Sequence, residues 1–229
     1  EINSFKHRKI WNLSLKKWDV IEEDKVHNYK FGLKSNGTAN VEIIDGSLLL
    51  NSRGSGWFSI VHDPWRPSQG DGGHLGPNPG FFDRYSIDKR LDVGVFQTNL
   101  FQKNLQLSGI PILETSVKSD KKSFDICLAL SLINEQDKTV NQFSTGFLRV
   151  KNLQKNEKCD CKIVMHPTNI TILKGTKLRL SISAAAYPAI GVNAGFGDDM
   201  IGAPTINHEI ITLSFELNKT FMKMTPFFN

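Results

Sequence analysis

The stretch LRLSISAAAYPAIGVNAG, residues 178–195, decides the fold class of this chain. Leu178, Leu180 and Ile182 alternate with polar residues, and a period of two places the apolar side chains on one face of a β-strand. The pattern therefore predicts a strand with one face in a core and the other face against water or a partner. Alanines and a Tyr-Pro pair follow, so we expect Ala184–Gly195 to leave the strand as a loop.

Short strand-like segments recur along the chain, separated by turn signals such as Asn36-Gly37 and Asp45-Gly46. Helical patterns that would indicate βαβ units are scarce. Further strands are predicted at 10–15, 29–33, 47–51, 56–61, 93–98, 112–117, 124–132, 145–150, 162–166, 169–172 and 209–217. We therefore predict an all-β fold, a jelly-roll β-sandwich in a single domain over residues 1–229, with 1–17 as a lead-in.

One segment, residues 62–80, has a different composition from the rest of the chain. HDPWRPSQGDGGHLGPNPG is rich in proline and glycine. Proline lacks a backbone donor and fixes its own φ angle, so this segment cannot pair as a central strand. The sequence predicts a long ordered loop, either a crossover between sheets or an interface arm.

The overall composition bounds the functional class. The 229 residues are 39% hydrophobic and 22% charged, which is typical of a globular domain with a sizeable core. No apolar run approaches the roughly 18 residues that would span a bilayer, so no membrane partner is predicted. The net charge is +5, but no aromatic-interleaved recognition motif accompanies the basic residues, which argues against nucleic-acid binding.

The three cysteines indicate a reducing compartment and suggest no metal site. Cys127, Cys159 and Cys161 form no disulfide framework, so we expect a cytoplasmic protein. Cys159, Cys161 and His166 raise a zinc hypothesis, but the C-x-C-x4-H pattern lacks the second ligand pair of structural zinc sites. Strand or loop cysteines are the simpler interpretation.

No motif of a self-sufficient enzyme or of a cofactor site is present. The chain has no G-x-S-x-G nucleophile elbow, and RGSGW at 53–57 lacks its spacing. LKGTKL at 173–178 lacks the glycine-rich cradle of a phosphate loop. The candidate acid-base groups are turn residues on the simpler interpretation, and they are His62, Asp63, Asp71, His74, Asp198 and Asp199.

Aromatic residues near the proline-rich segment are candidates for a ligand platform or an interface. Aromatic side chains fill cores and interfaces more often than they line sugar sites, which favours packing roles for this group. We assign a domain-interface or cleft-lining role to Trp65, Arg66, Phe81 and Phe82.

A series of stretches, in order, resembles the C-terminal domain of the X-Pro dipeptidyl-peptidase family, also called the CocE/NonD hydrolases. HDPWRPSQGDGG at 62–73 is similar to that domain's D-P-x-x-P-x-x-x-G-G loop, apart from one or two extra residues before the glycines. The other matching stretches are YKFGLKSNGTAN (29–40), FDRYSIDKRLDVGVFQT (82–98), LQLSGIPILE (105–114), SDKKSFDICLAL (119–130), STGFLR (144–149) and LKGTKLRLSISAAAYP (173–188). The stretch GFGDDMIG and residues 1–17 depart from the pattern.

The resemblance implies a non-catalytic domain with a galactose-binding-domain-like jelly roll. In these enzymes the catalytic Ser, Asp and His lie on an α/β-hydrolase domain that precedes this one, and that domain would be the partner of this chain. No family catalytic residue has a matching position here, so no catalytic, cofactor or metal residue is assigned. A carbohydrate-binding module is the alternative, a self-sufficient enzyme is a third hypothesis, and assembly into homo-oligomers stays open.

Overall fold

The computed structural model describes residues 7–22, 29–73, 78, 80–136, 138–196 and 205–227. In these ranges the regular structure is almost all β, with 3₁₀ turns at Ile87–Lys89 and Thr205–Asn207. The strands are β1 (His7–Asn12), β2 (Lys17–Glu22), β3 (Lys30–Lys34), β4 (Ser47–Leu50), β5 (Trp57–His62), β6 (Phe82–Asp83), β7 (Val93–Gln97), β8 (Leu105–Ser119), β9 (Phe124–Asn134), β10 (Thr139–Val150), β11 (Lys158–Val164), β12 (Thr168–Ile172), β13 (Thr176–Ser183) and β14 (Ile211–Thr225).

Twelve of these strands form one sheet that curls into a jelly-roll-like sandwich. The order is β11-β8-β14-β3-β4-β7-β13-β9-β10-β6, with β12 paired to β8 and β5 paired to β14. Pairing is antiparallel except for one parallel contact, Ser47 with Gln97. A bridge between Gly146 and Met165 brings β10 next to the end of β11, so the two ends of the sheet approach each other.

The core lies between the two layers of the curled sheet. Phe58 stacks on Phe215 at 5.7 Å and meets Phe96 edge-on at 5.3 Å. Leu178, Leu180 and Ile182 join the same cluster, which confirms the alternation predicted for the opening stretch. Burial of this apolar set provides the main free energy of folding.

The second face of β13 is also buried, which the alternation did not predict. Arg179, Ser181 and Ser183 on that face are 6%, 1% and 5% exposed. On the neighbouring strand β9, Asp125 and Cys127 face the same way and are buried too. Part of the chain between β5 and β7 covers this face of the sheet, as its hydrogen bonds to β13 and β10 show. We call this face the covered face.

Several strand boundaries differ from the sequence-based prediction. The sequence predicted a strand over 112–117 only, but β8 begins at Leu105 and continues through Pro111, which lies opposite Met224. The Pro111 carbonyl accepts from the Met165 amide at 2.9 Å. The short strand β2 was not predicted.

β1 and β2 form a separate hairpin that packs beside β12. Trp11 and Trp18 face each other across it, with ring centroids 5.6 Å apart. The Leu13 amide donates to the Asn169 carbonyl at 2.9 Å and fixes the hairpin to the sandwich. Within the described ranges, no helix is long and apolar enough to cross a membrane.

Candidate functional site

Two loops that the sequence singled out are hydrogen-bonded to each other on the covered face. We call residues 63–73 the proline loop and residues 184–190 the alanine loop. The Tyr187 amide donates to the Ser68 carbonyl, and the Gly70 amide donates to the Tyr187 carbonyl, both at 2.9 Å. These bonds confirm an ordered loop over the described part of the segment, since they satisfy its backbone groups as a strand ladder would.

The absence of a side chain at Gly70 in the proline loop allows this close approach. A Cβ atom at Gly70 would lie 2.3 Å from the Ala186 carbonyl oxygen, which is far inside van der Waals contact. The Ser68 hydroxyl also donates to the Ala185 carbonyl at 2.7 Å. The alanines that follow β13 therefore receive the proline loop against the edge of the sandwich.

A buried charge network lies beneath these loops. Asp88, on the 3₁₀ turn, accepts from Arg84 Nε at 3.2 Å, from Arg179 Nη1 at 3.0 Å and from Ser181 Oγ at 2.9 Å. Gln142 accepts from Arg84 Nη1 at 2.9 Å. Ile87 packs with Val93 and Val95, and this contact orients the turn so that the Asp88 carboxylate points into the sheet.

The network holds two guanidinium groups against one carboxylate. Arg84, Asp88 and Arg179 are 5%, 1% and 6% exposed, so water screens these charges weakly. The neighbouring pair of Arg149 and Asp125, joined at 2.6 Å, is balanced within itself. The covered face therefore carries one buried positive charge in excess within its network. This network was not predicted from the sequence, in which its one local sign is a charged residue, Arg179, inside an alternating strand.

A cavity of about 310 Å³ opens beside the network. Its walls come from the proline loop, the alanine loop, the middle of β9 and β10, and the segment after β11. The residues that line it include Asp71, Arg84, Ala129, Gln142, Phe147 and Ile190. This volume falls at the lower end of the roughly 300–1,000 Å³ that small-molecule sites occupy.

The four residues predicted to lie at an interface do not share one environment. Trp65 and Phe81 are 49% and 53% exposed. Arg66 is exposed, and its carbonyl accepts from Arg90 Nη2 at 2.5 Å. Phe82 is partly buried against the Ile87 cluster. An interface role for this set stays a prediction, with Trp65 and Phe81 presenting the larger apolar surface.

His62, one of the candidate acid-base residues, has a structural environment. It ends β5, is 1% exposed, and neither ring nitrogen has a hydrogen-bond partner among the described residues. Burial lowers the pKa of His62 below its ordinary value, because the imidazolium form would lose its hydration.

This burial predicts that the domain loses stability in mild acid through His62. The unfolded chain binds a proton there near pH 6.5, while the folded chain does so only at lower pH, so the free energy of unfolding falls as pH falls through this window. Between pH 7.5 and pH 5.5 His62 can contribute a loss of at most about 1.4 kcal/mol, the limit set by protonation of the unfolded chain. Urea titrations of the wild type and His62→Gln should show that loss in the wild type alone, and equal losses would contradict the assignment.

The cysteines are packed in the sheet. Cys161 belongs to the core cluster, and its Sγ lies 3.5 Å from that of Cys159. Burial raises the pKa of Cys161 to about 12, and burial likewise raises the pKa of Cys127. His166 contacts Thr145, with Nδ1 at 3.1 Å from the hydroxyl oxygen.

The remaining polar candidates form no metal centre within the structure described. Asp71 accepts from Asn78 Nδ2 at 3.2 Å. Among the described residues, no three His, Cys, Asp or Glu side chains cluster so that they could hold a metal ion. His74, Asp198 and Asp199 lie outside the described residues.

A protein-family model matches most of this chain. A model described as the X-Pro dipeptidyl-peptidase C-terminal non-catalytic domain matches residues 17–220. The chain belongs to this family. The match favours a non-catalytic hydrolase module over a carbohydrate-binding module. No curated protein matches the chain significantly.

Solved structures similar to this chain are longer proteins, and the chain matches one part of each. An aminopeptidase from a marine sediment Thaumarchaeota archaeon aligns with a TM-score of 0.79 at 14% identity, covering 94% of this chain and 40% of its own. An α-amino acid ester hydrolase aligns with a TM-score of 0.78 at 15% identity, covering 95% of this chain and 40% of its own. A CocE/NonD family hydrolase from Staphylococcus aureus aligns with a TM-score of 0.59 at 11% identity, covering 95% of this chain and 41% of its own. The chain therefore spans about two fifths of these proteins, and at such identities the likeness shows the fold.

Proposed function

We propose that this domain is the C-terminal module of a serine hydrolase of ester or amide bonds and that it braces an α/β-hydrolase domain of the same protein. The observation that carries the proposal is the family match over residues 17–220. The length of the similar structures supports it, since an aminopeptidase and an ester hydrolase each contain a further three fifths of chain.

In this proposal the chemistry belongs to the other domain. A serine activated by a neighbouring base would attack the ester or amide carbonyl, and backbone donors would stabilise the oxyanion. The present domain would hold the catalytic domain in place and wall one side of the substrate cleft. Fixed walls favour reaction because they position the substrate before the chemical step.

The proposed docking surface contains the proline loop and the exposed aromatic residues next to it. Trp65 and Tyr187 are 49% and 50% exposed, and the hydrogen bonds between their loops hold both on one rigid edge. Phe81 adds an exposed ring next to Gly80 in the chain. The backbones of Gly80 and Gly73 exchange two N–H to carbonyl hydrogen bonds, each 2.9 Å long. Exposed aromatic residues on ordered loops are typical anchors of interfaces.

Removing two of these anchors should weaken the brace. In the protein that carries this chain, Trp65→Ala with Phe81→Ala should lower the stability of the assembled protein by about 2 kcal/mol or more, because buried aromatic anchors contribute most of the energy of an interface. The loss of stability is measured by heating the protein to a series of temperatures and assaying the hydrolase activity that remains. Ile44→Ala is the control, since Ile44 is 83% exposed and lies away from the proline loop in sequence. Equal effects of the control and the double variant would contradict the docking surface.

A substrate panel tests the proposed function itself. The protein that carries this chain should hydrolyse at least one of a p-nitrophenyl ester, an α-amino acid ester and an Xaa-Pro p-nitroanilide. Residues 1–229 alone, with a β-rich circular dichroism spectrum as the folding control, should hydrolyse none of them. Turnover by residues 1–229 alone would contradict the non-catalytic role proposed for them.

A further inference from the structure

The cavity on the covered face presents an unpaired donor from a buried cation. Arg84 donates a hydrogen bond from Nε to Asp88 and another from Nη1 to Gln142. Its third nitrogen, Nη2, donates to no acceptor among the described residues. Arg84 lines the cavity and is only 5% exposed, so water screens this donor poorly. A guanidinium without a full set of acceptors in such a place favours an anion.

The charge balance of the surrounding groups favours the same ligand. Asp88 is shared between Arg84 and Arg179, so the network keeps one positive charge without a carboxylate. Asp125 does not compensate this charge, because Arg149 holds both of its oxygens, at 2.8 and 2.6 Å. Asp71 is the acidic residue in the described cavity wall, and its side chain accepts from Asn78. It carries a negative charge of its own but, among the described residues, forms no ion pair with Arg84, whose carboxylate partner is Asp88.

The rest of the cavity is built for an apolar body. Ala129, Phe147 and Ile190 contribute hydrocarbon to its wall. The Gln142 amide is held in the wall from both sides, because it accepts from Arg84 Nη1 and donates to the Asp71 carbonyl at 3.1 Å. An apolar chamber with one charged donor at its wall is a typical arrangement for binding a small amphiphilic anion.

We infer that this cavity binds a small organic carboxylic acid, with its carboxylate on Arg84 and its apolar body against Ala129, Phe147 and Ile190. The site lies within this chain and does not depend on which bond the whole protein cleaves. It is a binding site, and no covalent step takes place in it.

Fluorine NMR with 3-(4-fluorophenyl)propanoate tests the site in the protein that carries this chain. We expect a dissociation constant below about 1 mM, and at least about tenfold weaker binding of the matched amide, 3-(4-fluorophenyl)propanamide. Arg84→Gln should weaken the acid by about tenfold or more and the amide by much less, because the neutral amide gains one hydrogen bond and no ion pair from the guanidinium. Lys89→Gln, the loss of an exposed cation nearby in sequence, should leave both constants unchanged.

A second variant keeps the test independent of the buried charge. Ala129→Leu fills the cavity from the strand below and should abolish binding while the Asp88 network stays intact. Equal affinity for the acid and the amide would overturn the proposal, as would full affinity in Arg84→Gln. An unchanged fluorine spectrum at about 5 mM acid with folded protein would also overturn it, including the case in which an acidic side chain from elsewhere in the protein already occupies Arg84.

Discussion

Asp88→Asn should lower the free energy of unfolding by about 3–5 kcal/mol, the largest effect that we expect from a single polar substitution in this chain. The side chain of Asp88 is fully buried and is the shared partner of Arg84 and Arg179. Asparagine keeps the shape but removes the charge, which leaves two guanidinium groups buried without a counterion. Chemical denaturation of both proteins at neutral pH measures the difference.

Two further variants separate charge from packing in this network. Arg84→Met leaves the pair of Asp88 and Arg179 in place, so we expect a smaller loss than that of Asp88→Asn. A triple variant with Asp88→Leu, Arg84→Met and Arg179→Met should recover most of the stability, because a well-packed apolar cluster often equals a buried ion network. A loss below about 1 kcal/mol for Asp88→Asn would contradict the described network.

Gly94→Ala should cost about 3 kcal/mol, because the core has no room for one more methyl group at this position. A Cβ at Gly94 would lie 1.9 Å from Cζ of Phe58. The ring cannot move aside easily, since Phe96 and Phe215 pack against it at 5.3 and 5.7 Å.

A double-variant cycle tests the cause of this cost. Phe58→Leu removes the ring atoms that the new methyl would meet, so Gly94→Ala should cost at least about 1 kcal/mol less in the Phe58→Leu background than in the wild type. Urea denaturation of the four proteins gives the coupling energy. Additive losses would show that the cost arises elsewhere, for example from the backbone of β7.

The local patterns of this chain predict where its strands lie, but not which parts of the chain pack against the faces of those strands. Leu178, Leu180 and Ile182 indicate a half-buried strand because a period of two is a local property. The burial of Arg179 and Ser181 depends on Asp88, which lies about ninety residues away in the chain, so no local pattern could show it. For the same reason the sequence suggested a free or partner-bound face, whereas the structure has a face covered by the chain itself.

The proline-rich segment was predictable as a loop, and its role as a lid on the sheet was not. Pro64 and Pro67 exclude a central strand, which is a statement about single residues. The contact of Gly70 with Ala186 and the cavity beside it need segments from six parts of the chain. The interface role of Trp65, Arg66, Phe81 and Phe82 and the cytoplasmic location both remain predictions.

Labelling of an active serine in the protein that carries this chain is the most direct test of the proposed function. A fluorophosphonate probe labels activated serines, and peptide mapping after labelling locates the modified residue. We expect one labelled serine outside residues 1–229 of the present numbering, with no label on any serine within them. A labelled serine within residues 1–229, or hydrolase activity without any labelled serine, would contradict a non-catalytic module attached to a serine hydrolase.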